Sequence, residues 1–466
     1  MNKVIHWFRQ DLRLSDNPAL KEASRRGLVL PLYILDTNSP KKMGSASRVW
    51  LYHSLKSLDL SLDKKLCFYQ GDSLEILKHL IKTYLIKGVY WNRSYEPYQV
   101  KQDFKIKKEL SGLVFESFSA SLLWEPETIK KEDGTPYKVF TPFYKKGCLK
   151  GVAPRKPLDK PKPLQLYYDS SNKTHLEDLK LLPHLNWHKK IESHWEIGEE
   201  GAKKRFYHFL KKDLSSYKKG RNVPAKNSVS RLSPYLHFGQ ISPHQLWDKI
   251  PDRESDSNSI HFCRELAWRE FSYNQLYHNK DLSHKNLNSK FDRFPWIKKE
   301  SYLRAWQKGQ TGIPLIDAGM RELWETAYMH NRIRMLVGSF LVKNLLLDWR
   351  QGERWFWDCL VDADLANNSA SWQWIAGCGY DAAPYFRIFN PISQAQKFDP
   401  EGIYIRQFVP ELKKLKAPYI FSPWDAPKSV LKSADVQLGI HYPHPLVDLK
   451  NSREKALQAF QSIKRK

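Results

Sequence analysis

Four clusters in this chain combine groups able to hold a charged, flat ligand. In RELAWREFSYNQL, Glu265, Trp268 and Arg269 stand at i, i+3 and i+4 and share one face if the segment is helical. A carboxylate, an indole and a guanidinium together can hydrogen-bond a base edge, stack on it and balance a phosphate. The plainer use of such a face is a surface ion pair on an amphipathic helix. In NSVSRLSPYLHFGQIS, the hydroxyls of Ser228, Ser230 and Ser233 lead into a helix, which suits either an N-cap or an anion-binding turn. In YMHNRIRMLVGSF, the polar cluster His330, Asn331 and Arg332 opens a pattern that is apolar almost all round. Asn331 and Met335 share a face there, and Arg332 points aside. In VDADLANNSASWQW, Asp362 and Asp364 precede a polar turn from Asn367 to Ser371, and Trp372 and Trp374 follow two residues apart. On a helix those indoles face opposite ways, one toward a cavity and one toward deeper protein. Core packing alone would need only apolar partners, not Asn, Asp and Arg.

The elements that must position these residues fall into two kinds. VIHWF (4–8), LVLPLYIL (28–35), LCFYQ (66–70), GVYWN (88–92) and LVFESF (113–118) are short apolar runs rich in β-branched and aromatic residues, separated by helical patterns. They predict a parallel-sheet α/β domain over 1–130. The turn after the first run, RQDLRLSDNPAL, has no glycine, which disfavours a dinucleotide-phosphate cradle at that place. Residues 131–200 form a proline- and lysine-rich connector, as in KGVAPRKPLDKPKPLQ, which reads as an inter-domain crossing with solvated lysines. From 201 to 466 helical periodicity dominates and predicts an all-α domain.

Length and charge bound the rest. A chain of 466 residues exceeds what one core usually supports, so two domains are expected. Lys plus Arg number 76 against 50 Asp plus Glu, a net charge of +26, which favours a polyanionic partner. No apolar run is long enough to cross a membrane and the start MNKVIHWFRQ carries no signal-peptide core, so a cytoplasmic protein is expected. The five cysteines lack CxxC or Cys/His ligand spacing, which predicts reduced, packing thiols and no metal site. Seventeen Trp and 23 Tyr, many beyond Trp187, suggest that the second half handles a π-rich ligand.

MHNRIRM, LVKNLLLDWRQGER, DADLANN, SWQW and DAAPYFRIFNP follow one another in the order and spacing of the photolyase/cryptochrome family, which the chain resembles from its amino terminus to about Leu412. Within that family it resembles most the bacterial, class I-like enzymes that reverse cyclobutane pyrimidine dimers. The resemblance implies a Rossmann-like parallel α/β domain joined by a long linker to an all-helical FAD-binding domain. FAD contacts are implied at Tyr217, Val229, Ser230, Arg231, Leu232, Ser233, Arg269, Asp362, Ala363, Asp364 and Asn368, with Asn368 at the flavin N5 atom as a hydrogen-bond donor. Val229 stands where the family usually has threonine. Glu265 would bond the dimer's bases, Trp268 and Trp374 would pack on it, and Asn331 with Met335 would mark the dimer-splitting subclass. Arg221 and Arg332 would hold DNA phosphates. Trp372, Trp349 and Trp296, which by sequence alone read as core aromatics, match an electron wire to the surface. Tyr95, Glu96 and Pro97 lie where a folate-binding version has its contacts, but Gln99 replaces an acidic residue, so the antenna is either methenyltetrahydrofolate or a deazaflavin or flavin. The expected partner is DNA containing pyrimidine dimers, bound by a monomer.

Two other readings stand beside this one. A cryptochrome-type blue-light photoreceptor would bind flavin and signal through a partner; such proteins commonly append a long disordered tail, whereas this chain stops at Lys466 with a short basic end. A non-catalytic single-strand-binding protein would use the basic and aromatic residues but leaves Asp362, Asp364 and Asn368 unexplained.

Overall fold

The computed structural model describes residues 1–169, 174–382 and 386–464. Part of the DAAPYFRIFNP motif, residues 383–385, therefore lies outside the described residues. The chain divides into two compact units. One comprises Met1–Lys212, Ser230–Lys280 and Val361–Asp364; the other comprises Asp213–Val229, Asp281–Leu360 and Leu365–Lys466.

The first unit is built on five strands, β1 (Lys3–Phe8), β2 (Leu28–Asp36), β3 (Cys67–Gly71), β4 (Gly88–Asn92) and β5 (Val114–Phe118). They lie in the order β3-β2-β1-β4-β5, all parallel, with Val4 opposite Val29, Ile5 opposite Val89 and Tyr33 opposite Phe68. A parallel sheet is covered on both faces, which is why β1, β2 and β4 are apolar without alternation. Ile5, Trp7, Leu30, Leu32, Leu77, Val89 and Trp91 form its core.

The glycine-free turn after β1 folds around buried charge. Asp11 accepts from the Arg9 backbone N–H at 2.7 Å and from Asn92 Nδ2 at 2.6 Å. Arg13 is buried and donates to the carbonyls of Asp16, Ala120 and Gly239. Gly239 has φ 66, and a Cβ there would stand 2.1 Å from the Gln10 carbonyl oxygen, so only glycine lets the backbones meet. The connector holds no long element, yet it is pinned. Val29 N–H donates to the Gln165 carbonyl, Tyr167 N–H donates to the Val29 carbonyl, and Arg155 pairs with Asp16 at 2.5 Å.

The helix Ser257–His278 belongs to this unit. Asp256 caps it by accepting from Ser259 N–H, and Phe262, Cys263, Leu266, Ala267, Glu270 and Phe271 are buried along it.

The second unit is helical. Its helices Pro314–Thr326, Asn331–Ser339, Trp349–Cys359 and Leu365–Ala376 pack closely, and Phe340–Asn344 continues the second of them as a π-turn. Close approach depends on small residues. A Cβ on Gly319 would meet Ile333 at 2.3 Å, and one on Gly352 would meet the Trp372 ring at 2.1 Å. All five cysteines are buried and free. Among the described residues no helix is long and apolar enough to cross a membrane, and no cluster of His, Cys, Asp or Glu could hold a metal ion.

Candidate functional site

In the first unit, the Ser257–His278 helix presents Glu265, Trp268 and Arg269 half-buried on one side, with Leu266, Ala267 and Glu270 buried on the other. The helical spacing therefore holds. Arg269 is fixed by donating to the Ser121 carbonyl at 2.7 Å and to Glu270 at 3.3 Å, and it lies over the Tyr273 ring. Glu270, a residue sequence reasoning missed, accepts from the backbone N–H groups of Leu123 and Trp124 at 2.9 and 3.3 Å. Burial pushes its carboxyl up to about 7, against the pull of Arg269 and the two amides. Trp268 stacks on Phe140, with ring centroids 3.9 Å apart and planes 6° apart. One face of the indole is thus covered by the protein's own ring.

The two aspartates come with a tight turn in which Asp364 N–H donates to the Asp362 carbonyl at 3.0 Å. Asp362 accepts the Ser233 hydroxyl. That hydroxyl was expected to face a phosphate; it is committed to a carboxylate instead, because a buried Asp needs a donor. Ala363 and Leu232 are buried. Arg231 adopts a left-handed φ of 52 and lays its guanidinium 4.3 Å over the Trp195 ring, while the Ser230 carbonyl accepts from Arg205.

His237 also belongs to this cluster and was not anticipated. It is 6% exposed, and among the described residues its buried Nδ1 has no hydrogen-bond partner. Burial lowers its pKa, while Asp364 and Asp362 raise it. An orphaned ring nitrogen beside two carboxylates and Arg269 is a donor and acceptor set suited to a polar ligand with hydroxyls, ring N–H groups and phosphates. Those are the groups FAD offers, so the first unit's residues fit it.

In the second unit, Tyr217 is buried with the Arg221 guanidinium 5.4 Å over its ring. Val229 is half-buried, and a Cβ on Gly220 would meet Ser228 at 2.6 Å. On the Asn331–Ser339 helix, Asn331 is exposed and Met335 half-buried. Arg332 donates to Asn222 Oδ1 and lies 4.3 Å over the Phe398 ring. His330 caps this helix, its Nδ1 accepting from Arg332 N–H at 3.2 Å.

Asn368 is buried, and its Nδ2 donates to the Glu353 carbonyl at 3.0 Å and to Glu353 Oε1 at 3.1 Å. Sequence reasoning placed an amide donor at N5. Here both amide hydrogens go to Glu353, since the opposite rotamer would set Oδ1 against a buried carboxylate. The end of the side chain turned away from Glu353 is the oxygen.

Trp372 is 1% exposed and touches Phe356 and Trp306, with centroids at 5.0 and 6.2 Å. Trp349 is fully buried and donates to Asn286 Oδ1 at 2.9 Å; Trp296 is half-buried against Phe294. Trp374 is half-buried and donates to the Asp381 carbonyl. The two neighbouring indoles thus differ in burial, as their spacing on a helix predicts.

Glu270 and Glu353 left one legible trace, a carboxylate on the apolar side of a helix. His237 and Phe140 left none, because their partners lie far away in the chain.

The comparisons with known proteins agree with these features. The FAD binding domain of DNA photolyase matches residues 262–462, and the DNA photolyase domain matches residues 4–162. The chain is 46% identical to a deoxyribodipyrimidine photo-lyase of Agrobacterium fabrum, over 99% of this chain and 98% of that one. It is 37% identical to cryptochrome-2 of Arabidopsis thaliana, over 98% of this chain and 78% of the other. The crystal structure of a bacterial class III photolyase from Agrobacterium tumefaciens superposes with a TM-score of 0.96 at 45% identity, covering 100% of this chain and 98% of that one. The sequence reading leaned to a class I-like enzyme; this structural relative is described as class III.

Proposed function

We propose that this chain, which belongs to the DNA photolyase family, is a deoxyribodipyrimidine photo-lyase that uses light to split cyclobutane pyrimidine dimers in DNA. The observation that carries the reading is 46% identity along 99% of the chain to a protein of that name. A cryptochrome-type photoreceptor is the second reading, supported by the lower identity to cryptochrome-2.

FAD would be held by Ser230, Arg231, Leu232, Ser233, Arg269, Asp362, Ala363 and Asp364, together with Tyr217, Val229 and Asn368. When bound in reduced form, FAD would supply the light-driven one-electron chemistry that splits the cyclobutane ring. The chain's own residues do the rest. Photolyases are among the enzymes that take their target base out of the stack, and a poorly paired lesion lowers the cost. Arg221 and Arg332 hold phosphates and fix register without reading sequence. Glu265 hydrogen-bonds the bases of the dimer. Trp268, braced from behind by Phe140, packs its other face on the dimer, and Trp374 packs on it too. Asn331 and Met335 line the pocket as neutral groups. Glu353 sets the Asn368 amide, so the carbonyl oxygen is what this side chain offers the cofactor. Trp372, Trp349 and Trp296 carry electrons from the surface.

Residues 1–130 hold a second chromophore near Tyr95, Glu96, Pro97 and Gln99, either methenyltetrahydrofolate or a deazaflavin or flavin. The helical part from 201 onward carries the repair chemistry, with 131–200 as the connection. The enzyme acts as a cytoplasmic monomer. An absorption spectrum taken before and after denaturation tests the cofactor assignment. Release of FAD is expected, whereas a colourless protein that takes up no FAD would contradict it.

A further inference from the structure

The Ser257–His278 helix carries two arginines, and the chain uses them differently. Arg269 is half-buried and committed, donating to the Ser121 carbonyl and to Glu270. Arg264 is exposed, and among the described residues it makes no ion pair and no hydrogen bond. What holds it is a ring. Its guanidinium lies 5.7 Å over Phe140, which is itself only 2% exposed. The Phe140 ring stacks on Trp268 at 3.9 Å and 6°, and on Tyr144 at 5.9 Å and 12°. Arg264 and Trp268 stand at i and i+4, so they share a helical face, and one ring lies against both.

An exposed arginine over an aromatic ring is ordinarily a solvated cover, its stem on apolar surface and its head in water. Place and preorganisation set this one apart. It stands one turn before Trp268 and directly before Glu265, the two residues of this helix assigned to the bases of the lesion. The ring contact restricts a side chain that would otherwise sample many rotamers, and it leaves the planar fork open to solvent. Such a fork can grip a phosphate with two parallel hydrogen bonds.

We propose that Arg264 is a DNA-positioning residue whose guanidinium grips a phosphodiester flanking the flipped dimer, with Phe140 fixing both this grip and the Trp268 platform. It rests on the reading above in which Glu265 and Trp268 face the dimer. The connector, which the sequence presents as a crossing between domains, thereby supplies the ring that couples a backbone contact to a base contact.

The test uses the full-length, FAD-loaded protein in the dark, with a duplex oligonucleotide bearing one thymine dimer and the same duplex undamaged. Arg264→Met keeps an apolar stem over Phe140 and removes the fork. It is expected to raise Kd for the damaged duplex about tenfold, the size of one lost hydrogen bond to a charged group. The slope of log K against log salt should fall by about 0.9, with Tm unchanged. Arg264→Lys keeps the charge without the fork, so the slope should return to that of the wild type while affinity recovers only in part. Because the dimer seated on Trp268 is what brings the phosphate to Arg264, affinity for the undamaged duplex should hardly change.

Wild-type affinity and slope in Arg264→Met would overturn the proposal. So would an equal loss on both duplexes, which would make Arg264 one more charge in a general field, or a loss that tracks a fall in Tm, which would make it a structural cover for Phe140. Trp268→Ala separates this proposal from the reading it rests on. If that variant binds the dimer as tightly as the wild type does, the assignment of the helix face to the lesion fails. If it binds weakly while Arg264→Met binds normally, only the role of Arg264 fails.

Discussion

The helices Ser257–His278 and Asn331–Ser339 both carry residues assigned to substrate, yet the polar groups of the first are tied within the chain more completely than those of the second. On the first, Arg269 and Glu270 are tied to each other and to the backbone at Ser121, Leu123 and Trp124, and Trp268 is stacked on Phe140. On the second, Asn331 is exposed, Arg332 donates to Asn222 Oδ1 and its backbone N–H to His330 Nδ1, and among the described residues His330 Nε2 and Arg332 Nε have no partner. The first helix is a preorganised platform whose hydrogen bonds are made within the chain. The second leaves two buried N–H groups without a partner among the described residues. Changes at Arg269 or Glu270 should therefore cost stability, and a change at Arg332 should cost binding.

The largest effect expected from that contrast is in Glu270→Ala. It strands Arg269 and two buried amides, and chemical denaturation should show a loss of about 3 kcal/mol or more. Arg332→Ala, in the same assay, should shift stability by less than about 1 kcal/mol while weakening DNA binding. Equal losses in the two variants would erase the distinction.

Gly352→Ala comes next. Its Cβ would stand 2.1 Å from the Trp372 ring, so the helix or the indole must shift, at a cost of about 1–3 kcal/mol. Photoreduction of the flavin should slow with it, read by the bleaching of its absorption under blue light.

The smallest effect concerns Lys343 on the π-turn, which is 4% exposed and donates to the Arg387 carbonyl. Burial first, and Arg387 second, bring its ammonium down to about 7 from 10.5. Between those two values the unfolded chain binds a proton that the folded one does not, so this lysine's contribution to stability rises with pH across that window. Lys343→Met should therefore raise Tm most at pH 7 and below, with the gain shrinking toward pH 10. A pH-independent difference would show that the ammonium is not desolvated.

Much of the fold could be read from local pattern. β1, β2 and β4 announced themselves because a sheet covered on both faces needs unbroken apolar runs. Glu265, Trp268 and Arg269 were placed on one face by helical spacing alone, as were Asn331 and Met335. What stayed hidden depended on partners distant in the chain. Nothing around Asn17 says that Asp16 will meet Arg155, and nothing near Trp268 says that Phe140 will lie under it. The Asn368 contact with Glu353 stayed hidden for the same reason, since Glu353 lies on a neighbouring helix. Nor does local sequence show that residues 230–280 pack with the sheet-bearing unit, because compactness is a sum over long-range contacts.

The most direct test of the whole account is repair itself. Reduced, FAD-loaded protein should clear thymine dimers from a duplex oligonucleotide under blue light and leave them untouched in the dark. Dimers that persist under illumination, on DNA the protein demonstrably binds, would contradict it.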